Sequence, residues 1–317
     1  PLSSETRRSP FRMPVRVDGF RVGEKIGQGT FGEVYRVVRE ETSAPFALKM
    51  YRPTTDQGLD ATMLRELAFL SEMPHVNVIQ LVEYLPVAQA VLLPLAHSDM
   101  AKFMRNKRKA GHVFSPLALR TIGAHLLRGI AALHSAGWMH RDVKPQNCLL
   151  AIDRRVVQLG DFGLVRRLTP GRTYTLEAVT LWYRAPELLL GLQRYGSAVD
   201  LWAYGCTLAE LVTGEVWCAG DSEIGQLFSI FAALGAPDAA QWAGFSRMPH
   251  YQQGFPKPRD RRPLWADDAY PGVAGLREAA DACLAYDPLR RPHACALRET
   301  AVFAGLPVRA PAPIEEL

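Results

Sequence analysis

Eight consecutive residues, His140-Arg141-Asp142-Val143-Lys144-Pro145-Gln146-Asn147, hold a carboxylate, two cations and an amide oxygen within reach of one another. Phosphoryl transfer asks for that set: a carboxylate to orient the attacking hydroxyl, a cation on the γ-phosphate and oxygen ligands for Mg²⁺. Asp142 is the candidate for the first role, Lys144 for the second and Asn147 for part of the third. A polar octapeptide is also what a solvated loop looks like, so further residues must decide.

Gly160-Asp161-Phe162-Gly163 follows the apolar run 156–159 and puts Asp161 19 residues after Asp142. By itself the tripeptide reads equally well as a β-turn; at this distance Asp161 is the natural second Mg²⁺ ligand beside Asn147. Ile26-Gly27-Gln28-Gly29-Thr30-Phe31-Gly32-Glu33-Val34 contains G-x-G-x-x-G, whose glycines let backbone amides close over phosphates. That spacing also marks dinucleotide-binding folds. There a helix follows, whereas here the next element reads as a strand, which favours a strand-turn-strand flap.

Lys49 sits in Phe46-Ala47-Leu48-Lys49-Met50, where period-two alternation puts Ala47 and Lys49 on one face. Alone it reads as an edge solubiliser. Glu66 changes that, because it lies on the apolar side of a helical pattern with Met63 and Leu70, where an unpaired carboxylate is costly. A Lys49–Glu66 pair resolves both anomalies and leaves the ammonium for the α- and β-phosphates.

The elements that must position these groups follow from the patterning. Strands are expected at 20–28, 33–39, 45–51, near 78–85 and at 89–94, with a helix at 58–72. After Pro94 the pattern turns helical, at 98–109, 116–135, 197–213, 222–234, 275–285 and 293–302. The stretch 236–273 reads as a long ordered insertion. Residues 1–19 read as a flexible basic tail, and 304–317 as a C-terminal tail whose Pro-rich part, 307–313, is extended or disordered.

At 317 residues the chain exceeds the size at which one core stops growing, so two lobes are expected. Composition is that of an ordinary globular protein with a net charge of +5. Basic clusters at Arg7–Arg16 and Lys102–Lys109 read first as solvated faces. The five cysteines, 148, 206, 218, 283 and 295, contain no C-x-x-C pair, which points to a reducing compartment and away from a zinc site. With no run of 18 apolar residues and a polar start, a soluble protein of cytoplasm or nucleus is expected, with neither nucleic acid nor membrane as partner.

Taken together, and in this order, the motifs resemble a eukaryotic protein kinase across 20–303. Thr173-Tyr174-Thr175, Val179-Thr180-Leu181-Trp182-Tyr183-Arg184-Ala185-Pro186-Glu187, Asp200-Leu201-Trp202-Ala203-Tyr204-Gly205-Cys206 and Gly220-Asp221-Ser222-Glu223-Ile224 narrow the resemblance to the cyclin-dependent kinases. It implies a bilobal α+β fold, a β-rich N-lobe at 20–93, a hinge at 94–97 and a helical C-lobe at 98–303. It also implies ATP and Mg²⁺, with Ile26, Gly27, Gln28, Gly29, Thr30, Phe31, Gly32, Val34, Ala47, Lys49, Leu93, Pro94, Leu95, Ala96, Asp99, Asn147, Leu149 and Asp161 around the nucleotide.

In that family the helix carrying Glu66 binds a cyclin; here 60–66 reads Asp-Ala-Thr-Met-Leu-Arg-Glu where better-known members carry PSTAIRE. Thr175 matches the activating phosphothreonine set by another kinase, and Arg65, Arg141 and Arg166 match the arginines that would cage its phosphate. Thr30 matches an inhibitory phosphosite, but the neighbouring tyrosine of that pair is Phe31, which leaves the role of Thr30 open. Thr180 would bond near Asp142 and Lys144, Val179 and Arg184 would shape a pocket for proline after the target residue, and Glu187 would pair with Arg291. The resemblance thus implies transfer to Ser/Thr-Pro sites on proteins. Two rivals stand: a mitogen-activated type, disfavoured because Thr173 and Tyr174 are adjacent, and a scaffold pseudokinase, disfavoured because Lys49, Asp142, Asn147 and Asp161 are all present.

Overall fold

The structure is a computed structural model and describes residues 17–29, 32–51, 61–176, 180–257, 263–266 and 270–317. The chain divides into two compact units. One takes the residues up to Ala68 with Gln80–Leu95; the other takes Phe69–Ile79 and Ala96–Leu317.

The first unit is an antiparallel sheet rich in valine, leucine and aromatic residues. Its strands are β1 (Phe20–Gln28), β2 (Gly32–Arg39), β3 (Pro45–Tyr51), β4 (Glu83–Leu85) and β5 (Ala90–Pro94), in the order β1-β2-β3-β5-β4. Helix α1 (Ala61–Glu72) follows β3 in sequence. The sheet buries Tyr35, Val37, Leu48, Met50 and Leu92 on one face. Its other face packs Tyr51 and Val91 against Met63 of α1. Where a strand was expected near 78–85, only 83–85 pairs in this sheet. Val78 forms an isolated parallel bridge to Leu159 of the second unit, to which residues 69–79 belong. The start of the expected helix, 58–60, lies outside the described residues, as does the basic tail up to residue 16.

The second unit opens with β6 (Ala96–Asp99), α2 (Met100–Lys109) and α3 (Pro116–Ser135), then β7 (Trp138–Met139), β8 (Cys148–Ala151), β9 (Val157–Leu159) and β10 (Arg166–Arg167). Helices α4 (Pro186–Leu189), α5 (Ala198–Thr213), α6 (Glu223–Leu234), α7 (Ala274–Cys283) and α8 (Ala294–Arg298) complete it. β8 pairs with β6 and β9 in a three-stranded sheet. The break after Pro94 is therefore followed by a strand, and the helix expected from 98 starts at Met100, capped by the Asp99 carboxylate on the Lys102 N–H at 2.8 Å. Helix α5 is apolar nearly all round, and 14 of its 16 residues are buried, so it is the spine of this core. Gly123 of α3 fits because a Cβ there would stand 3.0 Å from the Phe303 ring and 3.1 Å from Leu208. The expected insertion is built on rings: Phe231 packs edge-on against Phe245 and Phe255.

Of the two expectations for the Pro-rich part of the C-terminal segment, extended or disordered, the structure has the extended one. Residues 306–317 are anchored at two points, Ala310 and Ile314, at 1% and 0% exposure, while 307–309 stay exposed, and the chain closes on a short 3₁₀ turn, Ile314–Glu316. Among the described residues no helix is long and apolar enough to cross a membrane.

Candidate active site

In the first unit the glycine-rich stretch is the turn between β1 and β2, closed by the Gly29 N–H on the Gly32 carbonyl at 2.9 Å. Only glycine fits at 32, since a Cβ would lie 2.1 Å from the Met50 carbonyl oxygen. Antiparallel register puts Gly27 opposite Val34, Val34 opposite Lys49, and Ala47 opposite Leu93. Directly opposed residues share a face, so Val34, Ala47, Lys49 and Leu93 stand on one side of the sheet. Ile26, Gln28, Pro94 and Leu95 flank that row, half-buried except for the exposed Gln28. Thr30 and Phe31 lie outside the described residues.

Lys49 Nζ donates to both carboxylate oxygens of Glu66, at 2.9 and 2.7 Å. Lys49 is 7% exposed and Glu66 1%. Two charges are withdrawn from water at several kcal/mol each, and their mutual bonds help to offset that. The ammonium also stands 5.5 Å from the centre of the Tyr51 ring.

In the second unit the octapeptide leaves β7 and turns into β8. Arg141 takes φ 71°, a left-handed conformation that a non-glycine residue adopts at a cost of about 1 kcal/mol or more. Asp200, near the start of α5, holds it there. Its carboxylate accepts the His140 N–H at 2.8 Å, the Arg141 N–H at 2.7 Å and a bond from His134 Nε2 at 2.8 Å. Burial alone would raise the pKa of Asp200, but the His134 hydrogen bond, the electrostatic influence of the neighbouring His134 and His140 and the Arg141 N–H outweigh it and keep the group below the usual carboxylate range.

Asp142, thus placed, has both oxygens engaged. Thr180 donates its hydroxyl to Oδ1 at 2.8 Å; Lys144 Nζ stands 2.8 Å from Oδ2 and donates to Thr180 Oγ1 at 2.6 Å. Asn147 Nδ2 donates to the Asp142 carbonyl and to Oδ2, both at 2.8 Å. Carboxylate, ammonium, hydroxyl and amide form one closed set. Gly160 ties the next segment to it by its N–H on the Asn147 carbonyl, 2.9 Å. His140 accepts the Asp142 N–H on Nδ1 at 3.2 Å, so Nε2 carries the proton and donates to the Gly160 carbonyl at 3.1 Å.

Asp161 is exposed and takes φ 57°, in the left-handed region. Phe162, fully buried, packs 4.2 Å from Phe69 and 5.1 Å from His140, ring centre to ring centre. For Mg²⁺ the donor chemistry fits: with Nδ2 of Asn147 committed to Asp142, Oδ1 is the end left for a cation. A hard oxygen pair from one carboxylate and one amide, completed by phosphates and water, is what Mg²⁺ takes. Leu149 follows on β8, half-buried, and Asp99 spends one oxygen on its helix cap.

Thr175 is exposed, and Arg141 Nη2 donates to its carbonyl at 3.1 Å and to Oγ1 at 3.2 Å. Arg166 donates to the Val165 carbonyl at 2.8 Å, and Arg65, in the first unit, to Thr62 Oγ1 at 3.1 Å. Next to Thr175, Tyr174 is buried and its hydroxyl donates to the Arg167 carbonyl at 2.9 Å. Val179 lies outside the described residues. Arg184, 7% exposed, pairs with Glu223. Glu187 and Arg291 form a fully buried two-pronged pair at 2.6 and 2.7 Å.

Two supports escaped the sequence reading. Tyr183 OH donates to Glu210 at 2.5 Å, and Gln226 accepts from the Gly220 N–H at 2.7 Å while donating to the carbonyls of Trp182 and Cys218. Glu210 was visible, like Asp200, as a carboxylate on an otherwise apolar helix, the same signal that singled out Glu66.

A protein-family profile described as "Protein kinase domain" matches residues 20–303. The chain belongs to the protein kinase family. A relative, "Cell division control protein 2 homolog 3" of Trypanosoma brucei brucei, is 43% identical to this kinase over 236 residues, which cover 73% of this chain and 75% of that protein. The kinase is therefore of the cyclin-dependent-kinase-like, serine/threonine type, and its β-rich first unit and helical second unit are those of the bilobal kinase fold.

Proposed function

We propose that this kinase transfers the γ-phosphoryl of ATP to Ser or Thr followed by Pro, under control of a cyclin and of phosphate on Thr175. The observation that carries the reading is the closed set of Asp142, Lys144, Thr180 and Asn147. Asp142 accepts the hydrogen bond of the attacking hydroxyl and takes its proton as the new P–O bond forms. Lys144, now bonded to Asp142 and Thr180, is placed to hold the transferring phosphate. Thr180 keeps the carboxylate and ammonium in fixed relation. Lys49, with its orientation set by Glu66, holds the α- and β-phosphates. Asn147 and Asp161 would hold Mg²⁺, which when bound would neutralise charge on the phosphates; positioning and electrostatics supply most of such catalysis.

Pro selectivity rests on Arg184, buried and paired with Glu223, because a pocket that offers no acceptor for a substrate N–H favours the one residue without one. Control by Thr175 rests on its exposure and on Arg141, which already touches Oγ1 and adjoins Asp142 in the chain. A phosphate there would gain charge-assisted bonds and stiffen the loop. The mitogen-activated alternative asks for a phosphorylated tyrosine near this threonine, and Tyr174 is buried with its hydroxyl engaged.

The test is transfer from labelled ATP to a Ser-Pro-x-Lys peptide and to its Ser-Ala twin. The chain is assayed alone and after capture of cyclins from its own cell extract. Transfer to the Pro peptide only, appearing only with a captured cyclin, supports the reading. Equal transfer by the chain alone refutes cyclin dependence, and equal use of both peptides refutes Pro selectivity.

A further inference from the structure

The kinase match ends at 303, and residues 306–317 form a strap laid across the second unit. Arg128 of α3 starts the hold, with its guanidinium donating to the Pro307 carbonyl at 2.8 Å and to the Leu306 carbonyl. Farther on, the Ala310 N–H donates to the Arg155 carbonyl at 2.9 Å and the Ile314 N–H to the Arg154 carbonyl at 2.8 Å. Arg309 pairs with Asp153, Arg154 with Glu315, and Lys107 Nζ reaches the Glu315 carbonyl at 3.4 Å.

These partners share an address. Asp153, Arg154 and Arg155 are the closed end of the β8–β9 hairpin. Its open end carries Asn147, the residue before β8, and Gly160-Asp161, the residues after β9. A hairpin with strands of four and three residues has little stability of its own. Two metal ligands at its mouth need placement to within about 0.5 Å.

One side chain joins strap to hairpin. His125, buried in α3, accepts the Val157 N–H on Nδ1 at 3.2 Å; the proton is then on Nε2, which donates to the Pro307 carbonyl at 3.2 Å. Val157 is an edge residue of β9 and its carbonyl takes Asn77 Nδ2 at 3.0 Å, so both backbone groups facing away from β8 are held by side chains. The facing charges are Arg128 on α3, with Arg298 and Glu299 beside it. Burial, against the Pro307 bond and with the Arg128 charge, lowers the His125 pKa to about 4. The imidazole is a permanent neutral clamp at ordinary pH.

We propose that the strap 306–317 is a positioning element for the metal-binding end of this kinase, acting through His125 and the closed end of the β8–β9 hairpin. The proposal rests on the reading of Asn147 and Asp161 as Mg²⁺ ligands, and its consequence is that release of the strap loosens both ligands while leaving peptide recognition alone.

The test uses the full chain carrying Ile314→Asp, which sets a carboxylate at the buried anchor, Arg128→Gln, or His125→Leu. Hydrogen exchange is followed at the amides of 148–159 without nucleotide, and separately the Mg²⁺ concentration for half-maximal transfer. The proposal expects hairpin exchange to rise roughly tenfold or more, the Mg²⁺ requirement to rise several-fold, and the peptide KM to hold. His125→Leu is the variant at risk of misfolding; the other two lie at the strap and the surface and decide without it. Strap amides of Ala310 and Ile314 that open while hairpin exchange and Mg²⁺ dependence stay as in the parent would overturn it. Asp161→Asn run in parallel separates the two claims: an unchanged Mg²⁺ requirement there refutes the ligand reading, whereas the exchange result judges the strap.

Discussion

Lys49 and Glu66 close on each other as a two-oxygen ion pair inside the first unit, and both side chains are almost withdrawn from water, at 9% and 2% exposure. Breaking such a pair from one side leaves a buried charge, at a cost of about 3–5 kcal/mol, whereas replacing both sides with apolar groups is often neutral. Lys49→Met should therefore lower the melting temperature, and Lys49→Met with Glu66→Leu should recover it. Phosphoryl transfer should stay lost in both, by roughly 10²-fold or more. Denaturation and kinetics on the same samples check this; recovery of activity along with stability would show that the pair is only structural.

Thr180 bridges the Asp142 carboxylate and the Lys144 ammonium. Thr180→Val keeps the shape and removes the hydroxyl, so Asp142 loses a donor and Lys144 an acceptor. We expect kcat to fall by about 10²-fold with the ATP KM little changed, and Thr180→Ser to retain most of the rate. A Val variant with parental kcat would remove Thr180 from the machinery.

Arg141 bonds Thr175 while its own backbone is clamped by Asp200, so phosphate on Thr175 should be felt at Asp142. Thr175→Ala should abolish the gain in activity that an activating kinase confers. Phosphorylated parent should show slower hydrogen exchange across 161–176 than unphosphorylated parent. Equal exchange in the two forms would detach this loop from the phosphate.

How far could these arrangements be read from the chain alone? Lys49, Glu66, Asp142, Asn147 and Asp161 announced themselves because a charge in an apolar pattern, or a dense polar string, has few explanations. The strands to either side of the glycine turn, and α3 and α5, followed from periodicity. What escaped is long-range. That Val78 pairs with Leu159 depends on a backbone bridge between segments some eighty residues apart, for which local pattern has no signal. Residues 307–313, rich in Pro and small residues, look extended or disordered by composition. Their order comes from Arg128, His125 and the 153–155 carbonyls and charges, all far away in sequence. Asp99 looked like a ligand-facing carboxylate and turned out also to cap a helix, a role set by the extended backbone of β6.

His125 yields a pH dependence with a definite sign. Its folded pKa of about 4 lies below the ordinary 6.5, so between those values the unfolded chain binds a proton that the folded chain does not. Stability should be fully present above about pH 6.5 and fall by up to about 3 kcal/mol as pH drops to 4. Asp200, held below its ordinary 3.8, adds stability that is lost only at more acid pH. Urea unfolding at pH 7 and pH 5 should show a smaller loss for His125→Gln than for the parent, and an equal loss would refute the assignment.

Asp142 is the residue on which the proposed chemistry most directly depends. The decisive measurement is single-turnover transfer of labelled γ-phosphoryl from ATP to the Ser-Pro peptide by the Thr175-phosphorylated kinase, parent against Asp142→Asn, with nucleotide binding measured alongside. A fall in transfer of roughly 10³-fold with unaltered ATP binding is the predicted result. Transfer at the parental rate by Asp142→Asn would contradict it.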